Sequence, residues 1–342
     1  MRVLLLTHDE IHAALAVAEC EHAMAAVLAA RARGDAFNPL RSVMVPPGAA
    51  GFMGLMPAYA AGGAGAAGVP TGPDPAPDGG GAFALKAICL MPSNPSRGLD
   101  AHQGTVTLFD GDTGMPTAIL NASAITEIRT AAVTAVATRA LAREDARVLA
   151  ILGAGVQAGS HLRALADVRP WEEVRIYAPT AEHARAVAGQ APPPTPVVTA
   201  GAREAVEGAD VVVVATSSRR PVLDHAWLAA GAHVNAVGAS TPTAREIEVA
   251  TVAAAALFCD SRESLRHEAG EFILAIEQGA IAGEEHVRAE LGEVVAGSAP
   301  GRTGAGELTL FRSLGIGVED LAAAQLAVSA ARERGLGTEV EL

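Results

Sequence analysis

Aromatic side chains make up only 3% of this 342-residue chain, and its three cysteines, Cys20, Cys89 and Cys259, stand far apart. So few and so scattered, they exclude a disulfide framework and a paired-cysteine metal motif, and they predict a reducing, cytoplasmic setting. No apolar run approaches the length of a membrane span. The apolar start, Met1 to Leu6, is too short for a signal sequence and meets His8, Asp9 and Glu10 at once. Positive charge is also short, with 25 basic against 38 acidic side chains and a formal balance of −13. That balance argues against nucleic acid or an anionic membrane as partner. A small anionic substrate would need a local basic pocket.

Core material is ample, because half the residues are apolar. The length suits two domains. Thr7-His8-Asp9-Glu10 has capping-box form, and an Ala-rich helical stretch is expected from there to about Arg33. Residues 60–81 hold eight glycines and four prolines and read as a loop, either a surface insertion or a pocket lid. Strands are expected over 83–89 and 104–109, and a long helix over 122–142. From Arg147 onward, short apolar runs at 148–152, 174–177, 196–199, 210–215, 233–237 and 256–259 alternate with helical stretches. That alternation predicts an α/β fold whose parallel sheet is covered on both faces. A last helix is expected over 313–334.

Gly153-Ala154-Gly155-Val156-Gln157-Ala158 follows one of these runs and opens a helix. Gly153 permits a tight turn, Gly155 lets backbone approach a pyrophosphate, and Ala158 allows close helix–strand packing. A glycine fingerprint alone is weak, but the strand–turn–helix context makes it specific. The second strand ends at Tyr177-Ala178-Pro179-Thr180, without the carboxylate that usually holds the ribose hydroxyls of NAD. This favours NADP(H) over NAD(H), with Thr180 as a phosphate contact.

Several further blocks occur in order. They are Arg41-Ser42-Val43, Gly54-Leu55-Met56-Pro57-Ala58-Tyr59, Leu85-Lys86, His102-Gln103-Gly104-Thr105-Val106 and Thr126-Glu127-Ile128-Arg129-Thr130-Ala131-Ala132. After the glycine turn come Ala215-Thr216-Ser217-Ser218, Gly231 to Gly238, Leu310-Phe311-Arg312-Ser313-Leu314-Gly315 and Glu319-Asp320-Leu321. Together they resemble the ornithine cyclodeaminase/mu-crystallin family over residues 41–324. The resemblance implies a Rossmann-type NAD(P)-binding domain over 130–314. It also implies a smaller α+β domain over 1–129 for substrate binding and dimerisation, with a C-terminal helix in 315–342 packing back on it. It implies a homodimer that processes amino or imino acids. Arg41, Lys86 and Arg129 are implied as the substrate-carboxylate ligands, which suits the fork of Arg and the point charge of Lys. Lys86 could also exchange a proton with the substrate nitrogen. His102, Gln103, Thr105, Thr216, Val237 and Ser313 join Gly153, Gly155, Val156 and Gln157 as implied cofactor contacts. Glu246 and Asp320 are open between structural and functional roles, and Met53 and Met56 read as packing residues.

The chain departs from the family's cyclodeaminases in one telling place. Val237-Gly238-Ala239-Ser240 puts Ser240 where those enzymes carry an Asp that prepares chemistry after hydride transfer, whereas the mu-crystallin-like ketimine reductases share Gly-Ala-Ser. A serine hydroxyl is a poor general base unless activated. Ser240 is therefore expected to serve a net redox reaction, the reduction of a cyclic ketimine such as pyrroline-2-carboxylate or piperideine-2-carboxylate. The alternatives are an ornithine or lysine cyclodeaminase that recycles NAD, an amino-acid dehydrogenase, and a non-catalytic crystallin-like binder. Asn121, where the family commonly has Asp, carries no functional reading.

Overall fold

The computed structural model describes residues 1–62 and 80–342. Most of the Gly/Pro-rich stretch read as insertion or lid, residues 63–79, lies outside the described residues. Contacts divide the chain into two compact units, Met1–Arg129 with Gly315–Leu342, and Thr130–Leu314.

The first unit opens with β1 (Arg2–Leu6), α1 (His8–Ala14) and α2 (Val17–Arg33). Thr7 caps α1 through the expected reciprocal box with Glu10. The single long helix expected here is instead broken at Leu15–Ala16, where the backbone turns extended and the two helices bend by 86°. No single helix among the described residues is long and apolar enough to cross a membrane, although this bent pair would suffice by length and composition. Then come β2 (Ala36–Phe37), β3 (Ser42–Met44), β4 (Phe52–Ala60), β5 (Ala82–Leu90), β6 (His102–Asp110), β7 (Pro116–Asn121) and the start of α3 (Ala122–Leu141), whose residues from Thr130 on belong to the second unit. Asn121 now has a role: its side-chain oxygen accepts from the Ala124 backbone N–H at 3.0 Å and caps α3. An Asp there would cap as well.

The second unit runs β8 (Val148–Leu152), α4 (Val156–Leu165), β9 (Glu173–Tyr177), α5 (Ala181–Ala188), β10 (Val197–Val198), α6 (Ala202–Val206), β11 (Val211–Val214) and β12 (His233–Ala236). It continues with α7 (Val249–Ala254), β13 (Ala256–Cys259), α8 (Arg262–Glu268), α9 (Gly270–Glu277), β14 (Val287–Glu290), α10 (Leu291–Val295) and β15 (Thr309–Arg312). Its sheet is parallel throughout, in the order β10-β9-β8-β11-β12-β15-β13-β14. The order reverses between β8 and β11, which makes the loops after those two strands the switch point where such sheets bind ligands. β11 is four valines, all buried, as a strand covered on both faces requires.

The chain closes in the first unit with α11 (Gly317–Arg334) and β16 (Thr338–Glu341). The final helix begins at Gly317 and not at residue 313, because the Ser313 and Leu314 amides bond Ala236 and Asp260 and Gly315 takes φ +77°. In the first unit's sheet, β16-β1-β7-β6-β5-β4-β2 with β3 on β4, alternate residues face α11. Met56, Ala58 and Ala60 of β4 pair with Lys86, Ala84 and Ala82 of β5, and all six are buried. With Val106 and Leu108 of β6 beside them, this face of the sheet is apolar, and Lys86 is set into it.

Candidate active site

Lys86 is the only lysine in the chain, one of 25 cationic side chains. It lies on the covered face of β5 and is 2% exposed. α11 packs on β4, β5 and β6, so its first turn, Glu319 and Asp320, meets this face. The lysine Nζ stands 2.9 Å from Oδ1 and 2.8 Å from Oδ2 of Asp320, and 3.4 Å from the hydroxyl of Thr126. Arg129, on α3 and 4% exposed, donates to Asp320 at 3.1 Å and to Glu319 at 2.7 Å. Arg41 donates to the carbonyl of Gly315 at 2.8 Å. Gly315 has φ +77°, and a Cβ there would lie 2.5 Å from Nη1 of Arg129. Only glycine satisfies both the backbone and the space.

These three cations and two carboxylates carry one net positive charge, which a substrate carboxylate would balance. Burial, and then the charges of Arg129 and Arg41, pull the Lys86 ammonium down from 10.5 to about 8, although Asp320 opposes them. His102, at the start of β6, is also lowered, first by burial and then by Lys86 and Arg129, against the opposite pull of Asp100. Asp100 is a residue the sequence did not single out. Its carboxylate accepts from the His102 backbone at 3.1 Å and from the Ser123 hydroxyl, and its carbonyl accepts from Asn94 and Gln103 at 3.0 Å each. It thereby ties the segment before β6 to the first turn of α3. Thr105 follows on the same strand and pairs with Asn121 of β7. Met56 is buried as a packing residue, and Met53 is half-buried.

In the second unit, Gly153 ends β8 with φ +127°, and its amide donates to the Tyr177 carbonyl at 2.8 Å. A Cβ on Gly153 would collide with the Ala215 carbonyl at the end of β11. Gly155, in contrast, has open space at its Cβ position and caps α4 without a side-chain hydrogen bond. Val156 in the first turn is 58% exposed, while Ala158 is buried. A bare helix N-terminus behind a glycine with open space around it fits a dinucleotide pyrophosphate. Gln157 sits in the same turn, where its carbonyl bonds the ring of His161 at 2.7 Å. Thr180 caps α5 and is exposed, with no side-chain cap bond.

Glu246 is buried and organises the rest of this rim. One of its oxygens accepts from the Thr216 amide and hydroxyl at 2.7 Å each, and the other accepts from the Ala239 amide at 2.8 Å. It joins the ends of β11 and β12, and Gly238 is pressed against it, since a Cβ there would lie 2.5 Å from its carboxylate. Val237 and Ser313 are anchored by backbone bonds to Val214 and Ala236 at 2.9 and 3.0 Å. Ser240 is half-buried, and among the described residues no acid or base bonds its hydroxyl. Burial raises Glu246 to about 6, against the pull of Arg312, Thr216 and Ala239. Between 4.5 and about 6 the folded chain holds the extra proton, so this group's contribution to stability falls as pH rises through that window. Nicotinamide-cofactor affinity is expected to drop severalfold as pH falls through about 6, when the protonated carboxyl loses acceptor capacity. Fluorescence titration from pH 5 to 7.5 checks this, and Glu246→Gln should abolish the dependence.

A family model for the ornithine cyclodeaminase/mu-crystallin family matches residues 1–335. Ketimine reductase mu-crystallin of Mus musculus is 37% identical over 293 residues, 86% of this chain and 85% of that protein. The structure of Thermococcus litoralis Delta(1)-pyrroline-2-carboxylate reductase in complex with NADH and L-proline superposes with TM-score 0.89 at 34% identity, covering 99% of this chain and 100% of the other. An archaeal alanine dehydrogenase dimer with bound NAD gives TM-score 0.89 at 30% identity, with both chains fully covered. By sequence and by fold, the chain belongs to the ornithine cyclodeaminase/mu-crystallin family.

Proposed function

We propose that this chain is a cytoplasmic, NAD(P)H-dependent reductase of the C=N bond of a cyclic imino acid, with pyrroline-2-carboxylate and piperideine-2-carboxylate as the candidate substrates. The observation that carries this reading is the chain's one lysine, buried between two arginines and a carboxylate and brought near pH 8. Arg41 and Arg129 would hold the substrate carboxylate, with Gly315 leaving room for the guanidinium. Lys86 would give its proton to the ring nitrogen, and Asp320 would keep the ammonium in place. Gly153, Gly155, Val156, Gln157, Thr180, Thr216, Val237 and Ser313, with His102, Gln103 and Thr105, would hold the nicotinamide cofactor. When bound, that cofactor supplies the hydride to the carbon of the C=N bond. Ser240 would act as a hydrogen-bonding group and not as a base.

The similarity to enzymes named for these reactions supports the reading. The alanine dehydrogenase similarity keeps the reverse direction, amino-acid oxidation, as its second form. The bare hydroxyl of Ser240 disfavours a cyclodeaminase. For the cofactor, the missing carboxylate after β9 and the open Thr180 hydroxyl support NADP(H), while the two solved relatives carry NADH and NAD. We also propose a homodimer built on the first unit, whose sheet exposes Phe37, Leu55 and Phe83. Light scattering would give its mass.

The test is to mix pure protein with each cyclic imine and either NADPH or NADH, and to follow cofactor absorbance. Turnover with at least one imine, and a higher kcat/KM with NADPH, is expected. Ammonia release from ornithine without cofactor consumption would overturn the reductase.

A further inference from the structure

Among the described residues, one group of three metal-ligating side chains that includes none of the cation cluster converges: His8, His12 and Glu127. His8 and His12 are four apart on α1 and so share one face of it, with ring centroids 4.6 Å apart. Nε2 of His12 stands 3.4 Å from Oε2 of Glu127, and Nε2 of His8 stands 3.9 Å from the same oxygen. All three ligand atoms lie within 4.8 Å of one another. A tetrahedral zinc ion with bonds of 2.0–2.1 Å sets its ligands about 3.3 Å apart, so small side-chain rotations would close the shell.

A second observation bears on the ring of His8. Its Nδ1 lies 3.1 Å from Oδ1 of Asp9. Donation from Nδ1–H to that carboxylate leaves the Nε2 lone pair facing Glu127, the outer-shell pattern that fixes a metal-binding imidazole. The two histidines are about half and one-third exposed, so an ion can enter and water can complete the fourth position.

We infer that His8, His12 and Glu127 form a binding site for a divalent transition-metal ion of the zinc class. Two imidazoles and one carboxylate suit such borderline ions and not calcium or magnesium. The ion would clip α1 to the first turns of α3, the helix on which Glu127 stands two residues before Arg129.

The test uses untagged, chelator-treated full-length protein. Zinc chloride titrated calorimetrically at pH 7.5 should bind one ion per chain with a Kd of about 10 μM or tighter, and saturating zinc should raise Tm by about 5 °C. His12→Ala and Glu127→Gln should each weaken binding at least about tenfold, while His183→Ala, in the other unit, should not. Cobalt(II) should give tetrahedral visible bands without a thiolate charge-transfer band. Circular dichroism of the two partly exposed variants reports whether they fold. Equal zinc affinity in all variants, a thiolate band, or binding no tighter than millimolar would overturn the site.

Discussion

Replacing Lys86 with methionine is expected to lower kcat/KM for imine reduction by about 10³-fold, within the range a positioned proton donor contributes. Lys86→Arg separates the charge from the proton. A guanidinium can hold the carboxylate, but it does not give up its proton near neutrality. Its KM should stay within about tenfold of the parent while kcat falls about 10²-fold.

The pH dependence has a definite sign. With the ammonium brought to about 8, reduction should slow about tenfold per unit above that pH, and amino-acid oxidation should quicken up to it. Because this is the chain's one lysine, selective isotopic labelling gives a single side-chain NMR signal. Its midpoint near 8, against an ordinary 10.5, is the direct check. The same shift bears on folding. From about 8 to 10.5 the unfolded chain binds the extra proton, so the lysine's contribution to stability rises with pH in that window and is least favourable below it. Lys86→Met should lack that rise.

Arg129→Leu is expected to be the more damaging change to the fold. Its guanidinium bonds both Glu319 and Asp320, which are 0% and 1% exposed. Removing one partner of a buried ion network costs about 3–5 kcal/mol, because the remaining carboxylates stay desolvated. A fall in Tm of about 10 °C should be seen by calorimetry. KM for the imino acid should rise about 10²-fold or more. Arg129→Lys keeps the charge, so most of the Tm should return, whereas KM should stay about tenfold high for want of the planar fork.

The strand at Val148–Leu152, its glycine turn and the parallel alternation after it were readable because each rests on a local rule: apolar runs, glycine geometry, helix starts. The break at Leu15–Ala16 was not, because Ala-rich sequence favours continued helix on propensity and only packing turns the chain there. β15 was also hidden, since its four residues run straight on toward a helix and include Arg312. That arginine is buried only because Glu271 and the carbonyls of Ala236 and Ala239 receive it. β4 holds one of the family blocks, but no strand signal marks it. Its Gly54 and Pro57 speak against strand, and pairing with β5 decides otherwise.

The sequence by itself determined the α/β class, the glycine turn after β8 and which cations the chain offers, because residue chemistry and short spacing suffice for those. Only the tertiary structure decided that Asp320, some two hundred residues away in the chain, stands between Lys86 and Arg129, with Glu319 on the arginine. It also decided that Glu246 joins two strand ends and that Asn121 caps α3. Such placements come from which faces bury against one another, and burial is what turns an ordinary lysine into one that can release its proton near neutral pH.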